Sequence, residues 1–274
     1  PHAGAAARQR IGTMEGNVSS TDILLVSLGS TTGLRASDEA FATLLRGAGA
    51  TVQIARAAPQ RQVRTLALTD LLWARASAVA ARQALTATTP RAIVYSTTTA
   101  ALLWARPGAI RFDASSAENR PGHDGIWQRP LERRRLAEAP LLIPTSAAAL
   151  AASPAAGADA VIVPIPVIAS GSPRPAPERQ IAAITYASDP DKKGLGRVLA
   201  AWQQARRDGE RLVVAGLERS RLPNPGPGVE LVGKLAPEQY QELLCRSKLF
   251  VCAPRREDYG IAQLEALADV CQLV

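Results

Sequence analysis

From residue 22 onward, short apolar runs alternate with longer amphipathic stretches, and this pattern constrains the fold more than any other feature of the sequence. DILLVSLG (22–29), TVQIA (51–55), RAIVYS (91–96), AIRFDA (109–114), LLIPTS (141–146) and DAVIVPIP (159–166) read as strands. Between them, RASDEAFATLLRGAG (35–49), an alanine-rich stretch over 69–87 and IWQRPLERRRLAEA (126–139) read as helices. Pro130 must lie in the first turn of the last of these or kink it, because proline lacks the N–H that a helix interior needs. Strand and helix alternating at this spacing build a parallel sheet covered on both faces.

The texture breaks at PIPVIASGSPRPAP (164–177), which holds five prolines in 14 residues. Such a segment sustains neither a helix nor a central strand and reads as a linker. The alternation then restarts with IAAITYA (181–187), a helix over 195–208, RLVVAG (211–216), VELVG (229–233), a helix over 237–246 and KLFVCAP (248–254). A further helix follows, and CQLV opens one more strand. The expected architecture is α/β, with two Rossmann-like doubly wound domains. Residues 21–166 form the first, 167–180 a proline-rich linker and 181–274 the second, which stops at the start of a strand and is expected to be incomplete. In open α/β sheets ligands bind beyond the carboxyl ends of the strands, so the cleft between the units is the default site.

Composition removes several classes. The 274 residues are 47% hydrophobic and 20% charged, a globular balance, and no apolar run approaches the length of a membrane span. Residues 1–20 lack a cationic start with an apolar core, so they read as a disordered extension rather than a secretory signal, with Met14 as a candidate start. Cys245, Cys252 and Cys271 are odd in number and without metal-ligand spacing. They are expected to be reduced and mostly buried, as in a cytoplasmic protein. His2 and His123 are the only histidines, which excludes a histidine-rich metal site. Residues 1–170 carry 17 arginines against 11 acids, whereas residues 171–274 are near balance with 15 basic and 13 acidic residues. With 4% aromatics and no binding motif, nucleic acid is not the expected partner. An anionic substrate or an anionic membrane surface fits the charge of the first unit.

Three stretches carry candidate chemistry. In PRREDYGIAQLEALA (254–268), Glu257 and Glu265 flank a glycine and an apolar helix start. The first amides of a helix are unpaired and partly positive, so this end can hold a phosphate against Gly260, Ile261 and Ala262. Glu265, about a turn and a half inside the helix, could accept from two neighbouring hydroxyls of a ribose, and Glu257 could do the same for a sugar. Two solvated glutamates remain the simpler account of this stretch alone. In SDPDKKGLGRVLAAW (188–202), Lys193 precedes Gly194 at a helix start, where the dipole disfavours a cation unless an anion binds. That makes Lys193 a candidate diphosphate contact, with a solvated turn lysine as the alternative. In LGSTTGLRASDEA (28–40), Gly29 and Gly33 could let a strand–helix loop approach a substrate, although no Walker lysine follows.

DKKG, ELVGKL and EDYGIAQLE, in that order, resemble the nucleotide-sugar-dependent glycosyltransferases of the GT-B fold, specifically glycosyltransferase family 4. The resemblance covers 180–269 well and 22–166 more weakly. It implies that Glu265 holds the donor ribose and Glu257 contacts the transferred hexose. It further implies that Lys193 and the amides of Gly260, Ile261 and Ala262 face the diphosphate, and that the turn Val232–Leu235, with Gly233, Lys234 and Leu235, lines the base pocket. The family commonly has an arginine shortly before the lysine. Ala187 and Ser188 stand there instead, with Arg255 or Arg256 as possible substitutes. On the acceptor side the resemblance points to Asp113, with His123 in the loop that follows; a turn residue and a solvated histidine are the plainer readings.

The activity implied is a retaining transfer of a sugar from a nucleoside-diphosphate sugar to an unknown acceptor, without cofactor or metal. The two glutamates act as binding groups, not as an acid/base pair. Arg133, Arg134 and Arg135 are expected on an exposed helix, facing an anionic or membrane-bound acceptor at the inner face of the membrane. The alternatives are a nucleotide-sugar epimerase, which turns over without acceptor, and a non-catalytic remnant.

Overall fold

Leu24, Leu25 and Val26 are consecutive and none has any exposed surface. Neighbouring strand residues point to opposite faces, so both faces of their sheet are covered. Leu24 and Val26 pack with Tyr95, Ile110, Phe112 and Leu136 on one side, and Leu25 packs with Phe41, Val94 and Ile143 on the other. The computed structural model describes residues 19–274 except 121, 156, 168, 170–174, 176, 177, 256 and 258. Up to residue 18 the predicted disordered extension therefore lies outside the described residues, Met14 included, as do Arg256 and much of the proline-rich linker. Its last two residues, Ser19 and Ser20, are not disordered but open the first strand, where they pair with Thr88 and Thr89.

The first unit runs β1 (Ser19–Ser27), α1 (Thr32–Gly47), β2 (Val52–Arg56), α2 (Leu66–Ala87), β3 (Thr88–Tyr95), α3 (Thr98–Ala101), β4 (Ala109–Phe112), α4 (Ser116–Asn119), α5 (Gln128–Glu138), β5 (Leu142–Pro144) and α6 (Ala147–Ala151). The second runs β6 (Ile181–Tyr186), α7 (Leu195–Ala205), β7 (Leu212–Ala215), β8 (Val229–Gly233), α8 (Pro237–Cys245), β9 (Ser247–Phe250), α9 (Ile261–Ala268) and β10 (Gln272–Leu273). Each sheet is five-stranded and parallel, in the orders β2-β1-β3-β4-β5 and β10-β9-β6-β7-β8. Both are doubly wound, and the order reverses between β1 and β3 in one and between β6 and β9 in the other. Those two crevices are where such sheets bind ligands.

Local chemistry accounts for most element limits. Thr31 caps α1 by accepting from the N–H of Leu34, which starts the helix three residues before the apolar pattern predicts. Pro130 falls in the first turn of α5. Leu195, Val198 and Trp202 place one apolar face of α7 on its sheet. DAVIVPIP is not a strand. Ala160 makes a single bridge to Leu142, and Val163 N–H reaches Pro144 O at 3.0 Å. Pro164 and Pro166, which have no N–H, then stop the ladder. Cys245 and Cys271 are buried, Cys252 is half-buried, and all three are free thiols. Among the described residues no helix is long and apolar enough to cross a membrane.

Candidate functional site

The β6–α7 and β9–α9 loops meet at the crevice of the second sheet. Gly194, the N-cap of α7, has φ +68° and lies so close to the carbonyl of Ala253 that a Cβ would collide with it. Only glycine satisfies both the left-handed backbone and this approach. The same carbonyl accepts from Arg197 Nε at 2.8 Å. The contact brings Lys193 within reach of the other loop, where its Nζ donates to Glu257 Oε2 at 2.6 Å. Both side chains are 22% exposed. From the sequence, the two residues read as separate contacts to diphosphate and sugar. In the fold they form one ion pair, and Glu257, rather than a bound phosphate alone, offsets the unfavourable placing of Lys193 at a helix start.

Gly260, at φ +78°, is the N-cap of α9, and among the described residues no side chain caps that end. The leading amides of the helix, those of Ile261, Ala262 and Gln263, therefore lack intrahelical partners at the carboxyl end of the sheet. A Cβ on Gly260 would meet Glu257 Cγ and Gln263 Cδ at ordinary contact distance, 3.4 Å each, so the left-handed backbone rather than crowding calls for glycine here. Gln263 Nε2 makes a long contact of 3.4 Å to Glu257 Oε2. Burial pushes the neighbouring Cys252 thiol above its ordinary value, with a side-chain bond to Gln263 opposing it. Glu265 is half-buried. Burial, and then the charge of Asp269, raise its carboxyl above the ordinary glutamate value. Among the described residues no cation pairs with Glu265. The carboxylate is thus partly desolvated, and the charge nearest it, that of Asp269 at the carboxyl end of α9, is of like sign.

Gly233 ends β8, and Lys234 N–H donates to Glu218 Oε1 at 3.3 Å. Leu235 is half-buried. Glu218, 16 positions earlier in the chain, carries no local signal that would place it beside this turn. Of the arginines, Arg197 stands at the junction of the two loops, whereas Arg255 is exposed. Buried Ala187 and exposed Ser188 fill the positions where the resemblance calls for a cation.

In the first unit, Gly29 lies in the loop after β1 and its carbonyl accepts from Arg35 Nη1 at 2.7 Å. Gly33 is not in that loop. It belongs to the first turn of α1, with nothing within 4 Å of a built Cβ, because Thr31 starts the helix before it. Below the loop, at the β1–β3 crevice, Ser27 Oγ donates to buried Asp38 Oδ2 at 2.5 Å. Arg111 Nη1 lies 3.6 Å from Asp38 Oδ1, and Arg111 Nη2 donates to Ser37 Oγ at 2.8 Å. Burial drives the carboxyl of Asp38 up and the guanidinium of Arg111 down, each opposed by attraction to the other. The buried pair escaped the sequence reading because its members sit in different elements of ordinary composition.

Asp113 is half-buried in the turn after β4 and contributes to the electrostatic surroundings of Arg111. His123 is exposed in the 3-10 turn Gly122–Gly125. The arginine run of α5 does not form a uniform basic face. Arg134 Nε and Arg135 Nη1 both donate to Glu138 at 2.7 Å, and Arg135 lies over the Trp104 ring at 4.8 Å. Glu138 stands four and three residues after them, a spacing already visible in the sequence. Arg75, Arg82 and Arg135 line a groove of about 570 Å³ with Val79 and Trp104, against the helix layer rather than at the strand ends.

Two Rossmann-like units with parallel sheets define the GT-B class of fold, and solved structures of that class superpose on this chain. Sucrose-phosphate synthase from Thermosynechococcus elongatus matches with a TM-score of 0.71 at 13% identity, over 92% of this chain and 80% of that one. WaaG, a glycosyltransferase involved in lipopolysaccharide biosynthesis, matches with a TM-score of 0.65 at 13% identity, over 92% and 80%. Anabaena HepE, solved in complex with UDP and glucose, matches with a TM-score of 0.58 at 15% identity, over 92% and 80%. No protein-family model and no curated protein matches the sequence. The likeness at these identities is one of fold.

Proposed function

We propose that this chain is a glycosyltransferase that takes a sugar from a nucleoside-diphosphate donor with retention of configuration. The observation that carries the reading is the convergence at the β6–β9 crevice. Lys193, held by Glu257, stands beside the amino end of α9, and among the described residues no cation pairs with Glu265, partly desolvated on the same helix. In this reading the diphosphate lies on the amides of Ile261 and Ala262, and the ribose hydroxyls donate to Glu265. As the sugar–phosphate bond breaks, charge gathers on the departing phosphate. Lys193 and the helix amides meet that charge already oriented, so no reorganisation is needed at the reacting moment. Glu257 fixes the ammonium and presents its second oxygen to a sugar hydroxyl. The base stacks by the turn Val232–Leu235, no metal takes part, and the acceptor enters from the first unit past Gly29 and Asp113. That HepE was solved with UDP and glucose supports the choice of donor class. Arg75 and Arg82, for which no acidic partner stands among the described residues, extend the proposal to an anionic membrane surface as a further partner.

Calorimetric titration with UDP, GDP and ADP tests the reading. One of the three should bind saturably, and the Glu265→Ala variant should lose that binding. Absence of saturable binding by the wild-type chain to all three would overturn it. Incubation of a nucleotide sugar without acceptor separates the epimerase reading, since a transferase then gives only slow hydrolysis.

A further inference from the structure

Tyr259 spans the two units through a single hydroxyl. Its Oη accepts from the N–H of Ile165 at 3.0 Å and donates to the carbonyl of the same residue at 3.2 Å, across 94 positions of sequence. A phenol has one proton to give and lone pairs to receive one, so it serves both main-chain groups of one residue. Ile165 lies where the chain has left the first sheet. The last ladder-like bond there is Val163 N–H to Pro144 O, and the flanking Pro164 and Pro166 have no N–H to offer. The phenol also contributes to the electrostatic surroundings of Arg111 on β4, which sets it near the carboxyl end of the first sheet. On its own loop, Tyr259 directly precedes Gly260, the N-cap of α9, and follows Glu257, the partner of Lys193, by two residues.

We propose that Tyr259 is a positioning residue. It fastens the Glu257 loop and the amino end of α9 to the segment that leaves the first unit, so that displacement of the units changes how those groups are presented. The inference rests on the donor-site reading above for its functional meaning, and on the Tyr259–Ile165 clasp for its geometry. A phenylalanine would keep the packing and lose both hydrogen bonds, so the hydroxyl carries the coupling.

Hydrogen exchange on Tyr259→Phe, read by mass spectrometry, tests this directly. Exchange should quicken in the peptide covering 161–167 and also in those covering 190–197 and 259–266, with the melting temperature kept. Nucleotide affinity, for whichever of UDP, GDP or ADP the wild type binds, should fall about threefold to tenfold, the range set by one or two ordinary hydrogen bonds. A merely local structural role would quicken 161–167 alone and leave affinity unchanged; that result, or no change in exchange anywhere, overturns the proposal. If the wild type binds none of the three nucleotides, the donor-site reading fails, and the exchange pattern still decides whether the clasp couples the two regions.

Discussion

Lys193 and Glu257 are separated by 64 positions in the chain, yet their charged atoms lie 2.6 Å apart across the crevice of the second sheet. The pair is partly exposed, so its worth to stability is small, at most about 1 kcal/mol. In the proposed reaction its contribution is the fixed direction of the ammonium. Lys193→Ala and Glu257→Gln should each lower the transfer rate, the lysine variant by about 100- to 1,000-fold. The double variant should cost less than the product of the two, because each single change already releases the other side chain. Steady-state rates with a nucleotide sugar, set beside urea unfolding of the same proteins, check both halves.

Glu265 links pH to stability with a defined sign. Its carboxyl is raised above the ordinary value of 4.5 by burial and then by Asp269. The folded state therefore holds the proton more tightly than the unfolded chain. Stability is whole below the ordinary value and falls as pH rises through the raised one. Glu265→Gln removes that penalty. Its melting temperature should exceed that of the wild type by a degree or more at neutral pH, with the gain vanishing in acid. Nucleotide affinity should meanwhile fall at least about tenfold, since a charge-assisted acceptor is lost. Thermal scans across pH, with titrations at neutral pH, measure the two effects.

Two glycines should respond in opposite ways to alanine. At Gly194 a methyl group meets the Ala253 carbonyl on a left-handed backbone, so the two loops must part. Gly194→Ala should cost about 2 kcal/mol or more and abolish nucleotide binding. At Gly33, inside the first turn of α1 with open space around it, alanine should be neutral or stabilise by up to about 1 kcal/mol. Urea midpoints of the two variants give the comparison.

The groove beside α2, lined by Arg75 and Arg82, should hold the chain to anionic vesicles. Flotation with phosphatidylglycerol-containing vesicles should carry the wild type, and with phosphatidylcholine alone should not. Each arginine near such a surface is worth about 1 kcal/mol, so reversing Arg75 and Arg82 to glutamate should abolish flotation. Added salt should weaken the wild-type interaction through screening.

The sequence by itself determined the alternation of strands and helices, the parallel α/β class and the break at the prolines. These follow from local chemistry: side-chain periodicity, a proline's missing N–H and the unpaired ends of helices. It also held the Arg134–Glu138 spacing that neutralises the basic run, though counting charges without their helical partners overstated that face. DAVIVPIP looked like a strand because its apolar pattern is sound, and only its two prolines, read as ladder-breakers, say otherwise. Only the tertiary structure decided that Lys193 meets Glu257, that Asp38 and Arg111 form a buried pair and that Tyr259 fastens onto Ile165. Each of these joins elements that are distant in the chain, and their meeting depends on the order in which strands line up in each sheet. Strand order is set by the sum of many weak packing contacts over both faces, and no single segment carries it.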